Sequence, residues 1–225
     1  MKWLRTIGAI FYKDLLSEFR RREYLNSILF FALLIIFLFS FALGTDPKLL
    51  QRLAPGLLWL VILFSTVLAL ERSFYNELDW GCLDGLLLYS SGHRAIFLGK
   101  LLANLFFMLL VEILVTFFLF LLFGLPAPHH PEKMVLVFFL GNIGIATLGT
   151  FYAALCTKTR ARQVLLPLLL FPMLVPLLLG AVHATQYSWE GDLFGRASSW
   201  LYLMSMFDLI FLAGCLLAIE PLLEA

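Results

Sequence analysis

Residues Glu71–Lys100 read ERSFYNELDWGCLDGLLLYSSGHRAIFLGK and form the longest polar interruption between two apolar runs of this chain. The stretch carries too many charged side chains to stay in lipid, because each one at mid-bilayer costs about 3 kcal/mol on insertion scales. It nevertheless contains a helix-forming pattern. A segment that leaves the membrane and still forms a helix favours a docking surface for another protein.

The order DWGCLDGLLLY, which begins at Asp79, predicts a short amphipathic helix within this stretch. Trp80, Leu83 and Leu87 fall on one helical face, whereas two glycines at a spacing of four form a small-residue stripe on another. The glycines cost about 2 kcal/mol of helix propensity together, so the helix is weak unless a partner packs against its bare backbone. The alternative is an interfacial or re-entrant helix that only connects two spans.

The composition of the chain is that of a membrane protein. Of its 225 residues, 62% are hydrophobic and 14% are charged, and the mean hydropathy is +0.95, whereas soluble domains carry about 25% charged residues. Crossing a hydrocarbon core takes roughly 20 mostly apolar residues as a helix, and six segments meet that demand. They are Leu25–Leu43, Leu53–Leu70, Leu101–Leu125, Met134–Thr157, Val164–Val182 and Trp200–Ile219.

Helices are the only economical structure for these segments. Every backbone polar group must be satisfied within the bilayer, and the apolar–polar alternation of barrel strands is absent. We therefore predict an all-α polytopic membrane protein with six transmembrane helices, in which residues 1–225 form one domain.

The residues before the first span predict one more helix, over residues 1–24. Aromatic and aliphatic residues recur there at helical spacing, with charged residues away from that stripe, which is typical of a helix that lies in the membrane interface. The alternative is a charged tail that only sets topology. The stripe consists of Trp3, Ile7, Ile10, Phe11, Leu15 and Phe19.

Lys and Arg residues predict the orientation, because they are enriched in cytoplasmic loops. With the N-terminus inside, only four of the 16 Lys and Arg residues fall in outer loops: Lys48, Arg52, Lys133 and Arg196. We therefore expect both termini, and the stretch Glu71–Lys100, on the cytoplasmic side.

Small and helix-breaking residues mark particular places in the spans. Proline suits a first helical turn, so Ala54-Pro55-Gly56 is predicted to begin the second span. Glycines in the fourth span predict close helix packing, and prolines in the fifth predict a bent, movable element, with a static kink as the alternative. These residues are Gly141, Gly144 and Gly149, and Pro167, Pro172 and Pro176.

Two acidic residues lie inside predicted spans, Glu112 in the third and Asp208 in the sixth. Intramembrane acids usually face a polar cavity or a partner, so they indicate function by default. The alternative is structural, since a protonated acid can donate a hydrogen bond to a neighbour such as Asn104 or Asn142.

The three cysteines contain no CxxC pair, so neither a metal site nor a redox pair is predicted. The basic residues follow topology rather than forming one patch, and no nucleic-acid partner is expected. The motif GxxxxGK[ST] is absent as well, so the sequence offers no nucleotide site of its own.

Two sequence blocks resemble the haem exporter B permease of cytochrome c maturation, a membrane subunit of ABC-2-type transporters. The first is LLQRLAPGLLWLVILFSTVLALERSF, from Leu49 to Phe74, followed by GCLDGLLL and LGK. The second is LGTFYAALCTKTRARQVLLPLLLFPMLVPLLLGAVHAT, from Leu148 to Thr185. The similarity covers nearly the whole chain, and LLxRxAPGxxW…LALER is its specific part.

The resemblance implies a permease that couples ATP hydrolysis by a partner subunit to haem export, or to release of a haem-loaded periplasmic chaperone. The implied partners are an ATP-binding cassette subunit, a haem-handling membrane protein, the periplasmic haem chaperone and a second copy of this chain. On this reading the chain is no enzyme and binds no cofactor itself. ATP belongs to the partner, haem is the cargo, and the complex lies in the bacterial inner membrane.

The resemblance also assigns roles to residues. The cytoplasmic helix would dock on the ATPase, and three basic residues of the next cytoplasmic loop would touch it, although positive-inside topology alone explains those three. The docking residues are Asp79, Trp80, Gly81, Leu83, Asp84, Gly85, Leu86 and Leu87, and the basic residues are Lys158, Arg160 and Arg162.

Imidazole is the usual axial ligand of haem, which makes three histidines on the outer side candidates: His129, His130 and His183. The alternative is simple solvation of the loop histidines, which lie among prolines. The tryptophan-rich signature of haem-handling proteins is absent, because Trp189 and Trp200 stand alone in the sequence.

Two other functions remain open from the sequence. One is an ABC-2-type exporter of another cargo, such as a lipid, a drug or a polysaccharide, with the same ATPase docking. The other is an intramembrane enzyme or proton-coupled carrier that uses Glu112 and Asp208, although no nucleophile–base arrangement surrounds these acids.

Overall fold

The protein is all-helical in a computed structural model that describes residues 2–20, 22–44, 46–79, 92–156, 162–192 and 195–224. Seven helices and no strand occur in these ranges. The helices are α1 (Lys2–Arg20), α2 (Arg22–Leu43), α3 (Pro47–Asp79), α4 (His93–Phe123), α5 (Pro131–Leu155), α6 (Arg162–Glu190) and α7 (Arg196–Glu224).

The helices α2 to α7 are each long and apolar enough to cross a membrane, which confirms the six predicted spans. Several of them extend beyond the apolar runs from which they were predicted. α4 begins at His93, ahead of Leu101, and α6 continues past Val182 to Glu190. The apolar run marks only what crosses lipid, whereas helical hydrogen bonding continues into the polar ends.

The start of the second span differs from the prediction. α3 begins at Pro47, and Pro55 lies inside the helix rather than in its first turn. Asp46 precedes the helix, and its side-chain Oδ1 accepts a hydrogen bond of 3.0 Å from the backbone N–H of Lys48. Asp before Pro is a strong helix start. A search for apolar runs overlooks it, because neither residue belongs to such a run.

The helix α5 lies at the centre of the bundle and packs against α3, α4, α6 and α7. Its glycines permit this close approach, as predicted. A Cβ on Gly141 would overlap the indole of Trp59 on α3, one on Gly149 would overlap Leu70, and one on Gly144 would overlap Leu177 on α6. Larger residues at these positions would hold the helices apart.

The predicted N-terminal helix is present as α1 and packs along the first turns of α4. Ile7 and Ile10 from its apolar stripe are buried. Ile10 lies against Gly99, where an added Cβ would be 2.8 Å from the Cβ of Ile10. Trp3, from the same stripe, is exposed. Some side chains of the stripe therefore pack inside the protein, whereas others are exposed on its surface.

Side-chain contacts between helices show which helix termini lie together at each end of the bundle. At one, called here the N-terminal end, Arg94 in the first turn of α4 contacts Glu220 near the end of α7, with 2.9 Å between Nη2 and Oε2. At the opposite end, Lys133 at the start of α5 contacts Asp192 after α6. The loop 124–130 lies at this opposite end.

Candidate functional site

The residues predicted to dock an ATPase fall mostly outside the described residues: Trp80, Gly81, Leu83, Asp84, Gly85, Leu86, Leu87, Lys158 and Arg160. The backbone of Asp79 forms the last residue of α3, and that of Arg162 the first of α6. Both positions lie at the N-terminal end of the bundle. Because most of the docking residues lie outside the described ranges, their assignment stays a prediction.

Lys100 belongs to the interior of the protein rather than to a cytoplasmic loop, which corrects its place in the topology count. Its side chain is 0% exposed, and its Nζ lies 3.4 Å from Oδ2 of Asp14 on α1. Asp14 also contacts Lys13, with 3.2 Å between Nζ and Oδ1. This ion pair, in which Lys100 is buried and Asp14 is 18% exposed, joins α1 to α4 beside the contact of Ile10 with Gly99.

Two polar pairs join α4 to α5 within the membrane-spanning part. Asn104 Nδ2 donates to Thr150 Oγ1 at 2.9 Å, and Asn142 Nδ2 donates to Glu112 Oε2 at 2.5 Å. The two pairs are about 12 Å apart along each helix, at 1.5 Å per residue. Because the helices are antiparallel, equal spacing on both keeps the two pairs in register.

The first intramembrane acid is therefore placed against a buried amide. Glu112 is 1% exposed and Asn142 is 0% exposed. One oxygen of each side chain, Oε1 of Glu112 and Oδ1 of Asn142, has no hydrogen-bond partner. Asn142 was one of the two neighbours that the sequence suggested for a structural acid, and the other, Asn104, pairs with Thr150 instead.

The second acid, Asp208, projects from α7 onto the glycine surface of α5. A Cβ on Gly144 would lie 2.5 Å from Asp208 Oδ1, and neither carboxyl oxygen of Asp208 has a hydrogen-bond partner. Since Gly144 follows Asn142 by two residues on α5, both acids contact the same stretch of this helix from different sides. Helix α5 is thus the element on which the intramembrane polar residues converge.

The three candidate haem ligands lie at the opposite end of the bundle, in different environments. His129 Nδ1 lies 2.8 Å from the carbonyl oxygen of Trp189, and His130 Nδ1 lies 3.2 Å from Glu132 Oε1. The ring of His183 stacks on Trp200, with 4.9 Å between centroids and 23° between planes. Hydrogen bonds orient the two loop histidines, which also remain accessible to solvent, and stacking orients His183.

The tryptophans that stand alone in the sequence have partners in space. Trp189 donates from Nε1 to the carbonyl oxygen of Pro126 at 3.0 Å and packs on Phe120 with 5.2 Å between ring centroids. These contacts, with the hydrogen bond from His130 N to Ser188 O at 3.1 Å, hold the loop 124–130 against the end of α6.

Asp192 organises the connection between α6 and α7. Its carboxylate accepts hydrogen bonds from Lys133 Nζ at 2.9 Å and from the backbone N–H groups of Arg196 and Ala197 at 2.7 and 3.1 Å. The bond from Lys133, with those from the two backbone groups, holds the pKa of Asp192 below its ordinary value of 3.8, against partial burial, which raises it. Asp192 therefore caps α7 and ties it to α5.

Within the described ranges, no three His, Cys, Asp or Glu residues are grouped closely enough to hold a metal ion. Cys156 and Cys215 are buried free thiols. The arrangement offers helix–helix contacts, two buried acids and an aromatic cluster at the opposite end of the bundle.

Several of the residues that make these contacts could have been identified from the sequence. Lys100, Asn104 and Glu112 are spaced by multiples of four on an apolar helix, which places them on one slowly winding stripe. Their partners could not be found so, because Asp14, Thr150 and Asn142 come from other helices. The bond from Trp59 Nε1 to Thr185 Oγ1, 2.9 Å long, was missed for the same reason.

Comparison with known proteins gives a consistent result. A sequence profile described as CcmB protein matches residues 5–220. "Heme exporter protein B" of Pseudomonas aeruginosa is 34% identical over 174 residues, which cover 77% of each chain. The protein of the same name from Haemophilus influenzae is 35% identical over 162 residues, 72% of each chain, and that from Rhodobacter capsulatus is 32% identical over 183 residues, 81% of this chain and 84% of the relative.

The profile match extends from the first turn of α1 nearly to the end of α7, so it includes the six spans almost completely as well as both intramembrane acids. The chain belongs to the CcmB protein family.

Proposed function

We propose that this chain is the membrane component of a haem export system for cytochrome c maturation. The observation that carries the proposal is the similarity to relatives named "Heme exporter protein B" over most of both chains. Six apolar helices, with the glycine-rich α5 at their centre, support a membrane role for the whole chain.

The energy for this role would come from a separate ATP-binding cassette subunit. The sequence has no GxxxxGK[ST] loop, so this chain would not hydrolyse ATP and would not be an enzyme. The ATPase would dock at the N-terminal end of the bundle, on the predicted cytoplasmic helix between α3 and α4 that includes residues 79–87. Helices α3 and α4 both reach this end and flank that segment, so a push on it would be passed to two spans at once.

The remaining partners follow from the same proposal. Two copies of the chain would pair with two ATPase subunits, and the complex would work beside a haem-handling membrane protein. The opposite end, with His129, His183 and Trp200, would face the periplasm, where a haem chaperone is loaded or released. The termini would then be cytoplasmic, in the bacterial inner membrane, as the distribution of Lys and Arg favours.

The proposal is tested by replacing the native haem exporter B of a bacterium with this chain and measuring covalently bound haem in its c-type cytochromes. Restored haem attachment supports the proposal. Absence of covalent haem although the chain is present in the membrane fraction would contradict the proposal.

The partners are tested by purifying a tagged copy from native membranes in mild detergent and identifying the proteins that accompany it. An ATPase together with haem-handling and cytochrome c assembly proteins is the expected result. An ATPase without them would assign the chain to export of another cargo, such as a lipid, a drug or a polysaccharide. Recovery of no ATPase would contradict the proposed coupling.

A further inference from the structure

In the pair formed by Glu112 and Asn142, each side chain keeps one oxygen atom without a hydrogen-bond partner. One hydrogen bond joins Asn142 Nδ2 to Glu112 Oε2. The other oxygen of each group, Glu112 Oε1 and Asn142 Oδ1, is buried and has no partner. A carboxylate oxygen and an amide carbonyl oxygen are both acceptors only, so these two atoms cannot bond to each other without a hydrogen between them.

Leaving such groups unpaired in the interior of a membrane protein is costly. A buried acceptor without a donor costs about 1–3 kcal/mol, and an isolated ionised carboxylate costs far more. A neutral carboxylic acid removes both costs at once, because its O–H is a donor. An acid and a primary amide then form two parallel hydrogen bonds, N–H to one carboxyl oxygen and O–H to the amide oxygen.

The charges around the pair offer no other way to compensate a carboxylate. In the described parts of the helices packed against α4, Asp208 is the only other charged side chain near the middle of a span, and it is an acid. Lys100, on α4 itself, lies about 18 Å away along the helix at 1.5 Å per residue and contacts Asp14. Lys133 lies at the opposite end of α5 and contacts Asp192.

We propose that Glu112 is an intramembrane proton-binding site, in which one bound proton joins Glu112 Oε1 to Asn142 Oδ1 and completes a doubly hydrogen-bonded acid–amide pair between α4 and α5. The ligand is a proton, and the receiving group is the carboxylate of Glu112. The bound proton adds a hydrogen bond between α4 and α5 and leaves the acid–amide pair without net charge. This inference goes beyond haem export and does not depend on it.

The test is infrared difference spectroscopy of the full-length chain in lipid membranes at neutral pH, comparing the wild type with Glu112→Gln. A protonated carboxyl group has a C=O stretch distinct from that of a carboxylate, and the band shifts in D2O. We expect Glu112→Gln to remove one protonated-carboxyl band, and Asp208→Asn to leave that band in place. Loss of a carboxylate band instead would overturn the proposal.

A second variant keeps the proposal testable if Glu112→Gln fails to fold. Asn142→Ala removes the amide partner but keeps the acid, so the protonated-carboxyl band should shift to higher frequency as its hydrogen bonds are lost. An unchanged band would show that Glu112 is not joined to Asn142 and would also overturn the proposal. Glu112→Gln itself should fold, because its amide can donate and accept at the same two positions.

Discussion

The indole of Trp59 on α3 occupies the space above Gly141 on α5 in which a larger residue would place its side chain. Trp59 is 1% exposed, and its Nε1 donates to Thr185 Oγ1 on α6 at 2.9 Å. One side chain therefore joins three spans. Its partner must lack a side chain for this to be possible.

We expect Gly141→Ala to destabilise the protein by about 1–3 kcal/mol, the usual cost of overpacking. The added methyl overlaps the six-membered ring of Trp59, so the ring must shift and its bond to Thr185 lengthens. The thermal midpoint of the protein in detergent should fall. Gly214→Ala is the matched control, since a Cβ there meets nothing within 4 Å; equal midpoints for the two variants would contradict the role of Gly141.

Thr185→Val isolates the hydrogen bond from the packing. Valine has nearly the size of threonine and leaves the indole of Trp59 in place over Gly141, but it cannot accept a hydrogen bond from Nε1. Hydrogen bonds between membrane helices contribute about 0.6 kcal/mol on average, and the bond that the Thr185 hydroxyl donates to the carbonyl oxygen of Ala181 lies within α6. We therefore expect a smaller fall in thermal midpoint than for Gly141→Ala. A larger fall would mean that the bond, not the close approach, holds these helices.

Most of the fold could be predicted from the sequence because the bilayer imposes it. A span needs a long apolar run, and each of the six runs became a helix. What failed was the start of α3, where the run begins at Leu53 but the helix begins at Pro47. The capping residue Asp46 determines the start of this helix, and capping is a local polar signal that hydropathy does not measure.

The polar contacts of the interior were only half predictable. The stripe Lys100, Asn104 and Glu112 is visible in one helix, and so are the glycines of α5. The placement and rotation of separate helices decide which partner each of the three polar stripe residues meets. These partners are Asp14, Thr150 and Asn142 in turn. The glycines mark a face for close packing, but one sequence does not say which helix packs there, because a leucine-rich face is compatible with lipid and with another helix.

The ion pair of Lys100 with Asp14 should respond unequally to removal of its two members. Lys100→Met keeps the apolar stem and leaves Asp14 with Lys13, so we expect a small effect. Asp14→Leu leaves a buried ammonium with fewer partners, and we expect a loss of up to about 3 kcal/mol. Thermal unfolding of both single variants and of the double variant measures the difference.

In the double variant no charge remains buried, so stability should return toward that of Lys100→Met alone. Limited proteolysis of α1 gives a second readout, because only Asp14→Leu should release this helix from Gly99 and its neighbours. Equal losses for the two single variants would mean that the pair is not what holds α1 on α4.

The contribution of Asp192 to stability should depend on pH. Its pKa is lower in the folded protein than its ordinary value of 3.8, mainly because of the hydrogen bond from Lys133. A lowered pKa gives stability that is fully present above the unfolded value and is lost as the pH falls through the folded one. The wild type should therefore lose its advantage over Asp192→Asn only in acid below about pH 3.8, as measured by thermal midpoints across pH.

Lys133→Met is the matched variant for this experiment. It removes the largest cause of the lowered pKa but leaves the backbone donors Arg196 N and Ala197 N in place. The stability of Lys133→Met relative to Asp192→Asn should thus show a weaker dependence on pH than that of the wild type. An advantage of the wild type over Asp192→Asn that stays constant down to the lowest pH tested would contradict the assigned role.

Gly81→Leu and Gly85→Leu test whether the segment between α3 and α4 transmits work from an ATPase. In the helix predicted from the sequence, two glycines at a spacing of four would give a partner direct access to the backbone, and a leucine at either position would hold the partner away. We expect both variants to insert and fold normally, because the spans on either side end at Leu70 and begin at His93, but to lose covalent haem attachment to c-type cytochromes in the replacement strain. Gly8→Leu, at a site on α1 where a Cβ meets nothing within 4 Å, should remain active. If both segment variants kept the ATPase bound and haem attachment normal, docking through these glycines would be wrong, and the basic loop with Lys158 and Arg160 would be the next surface to test.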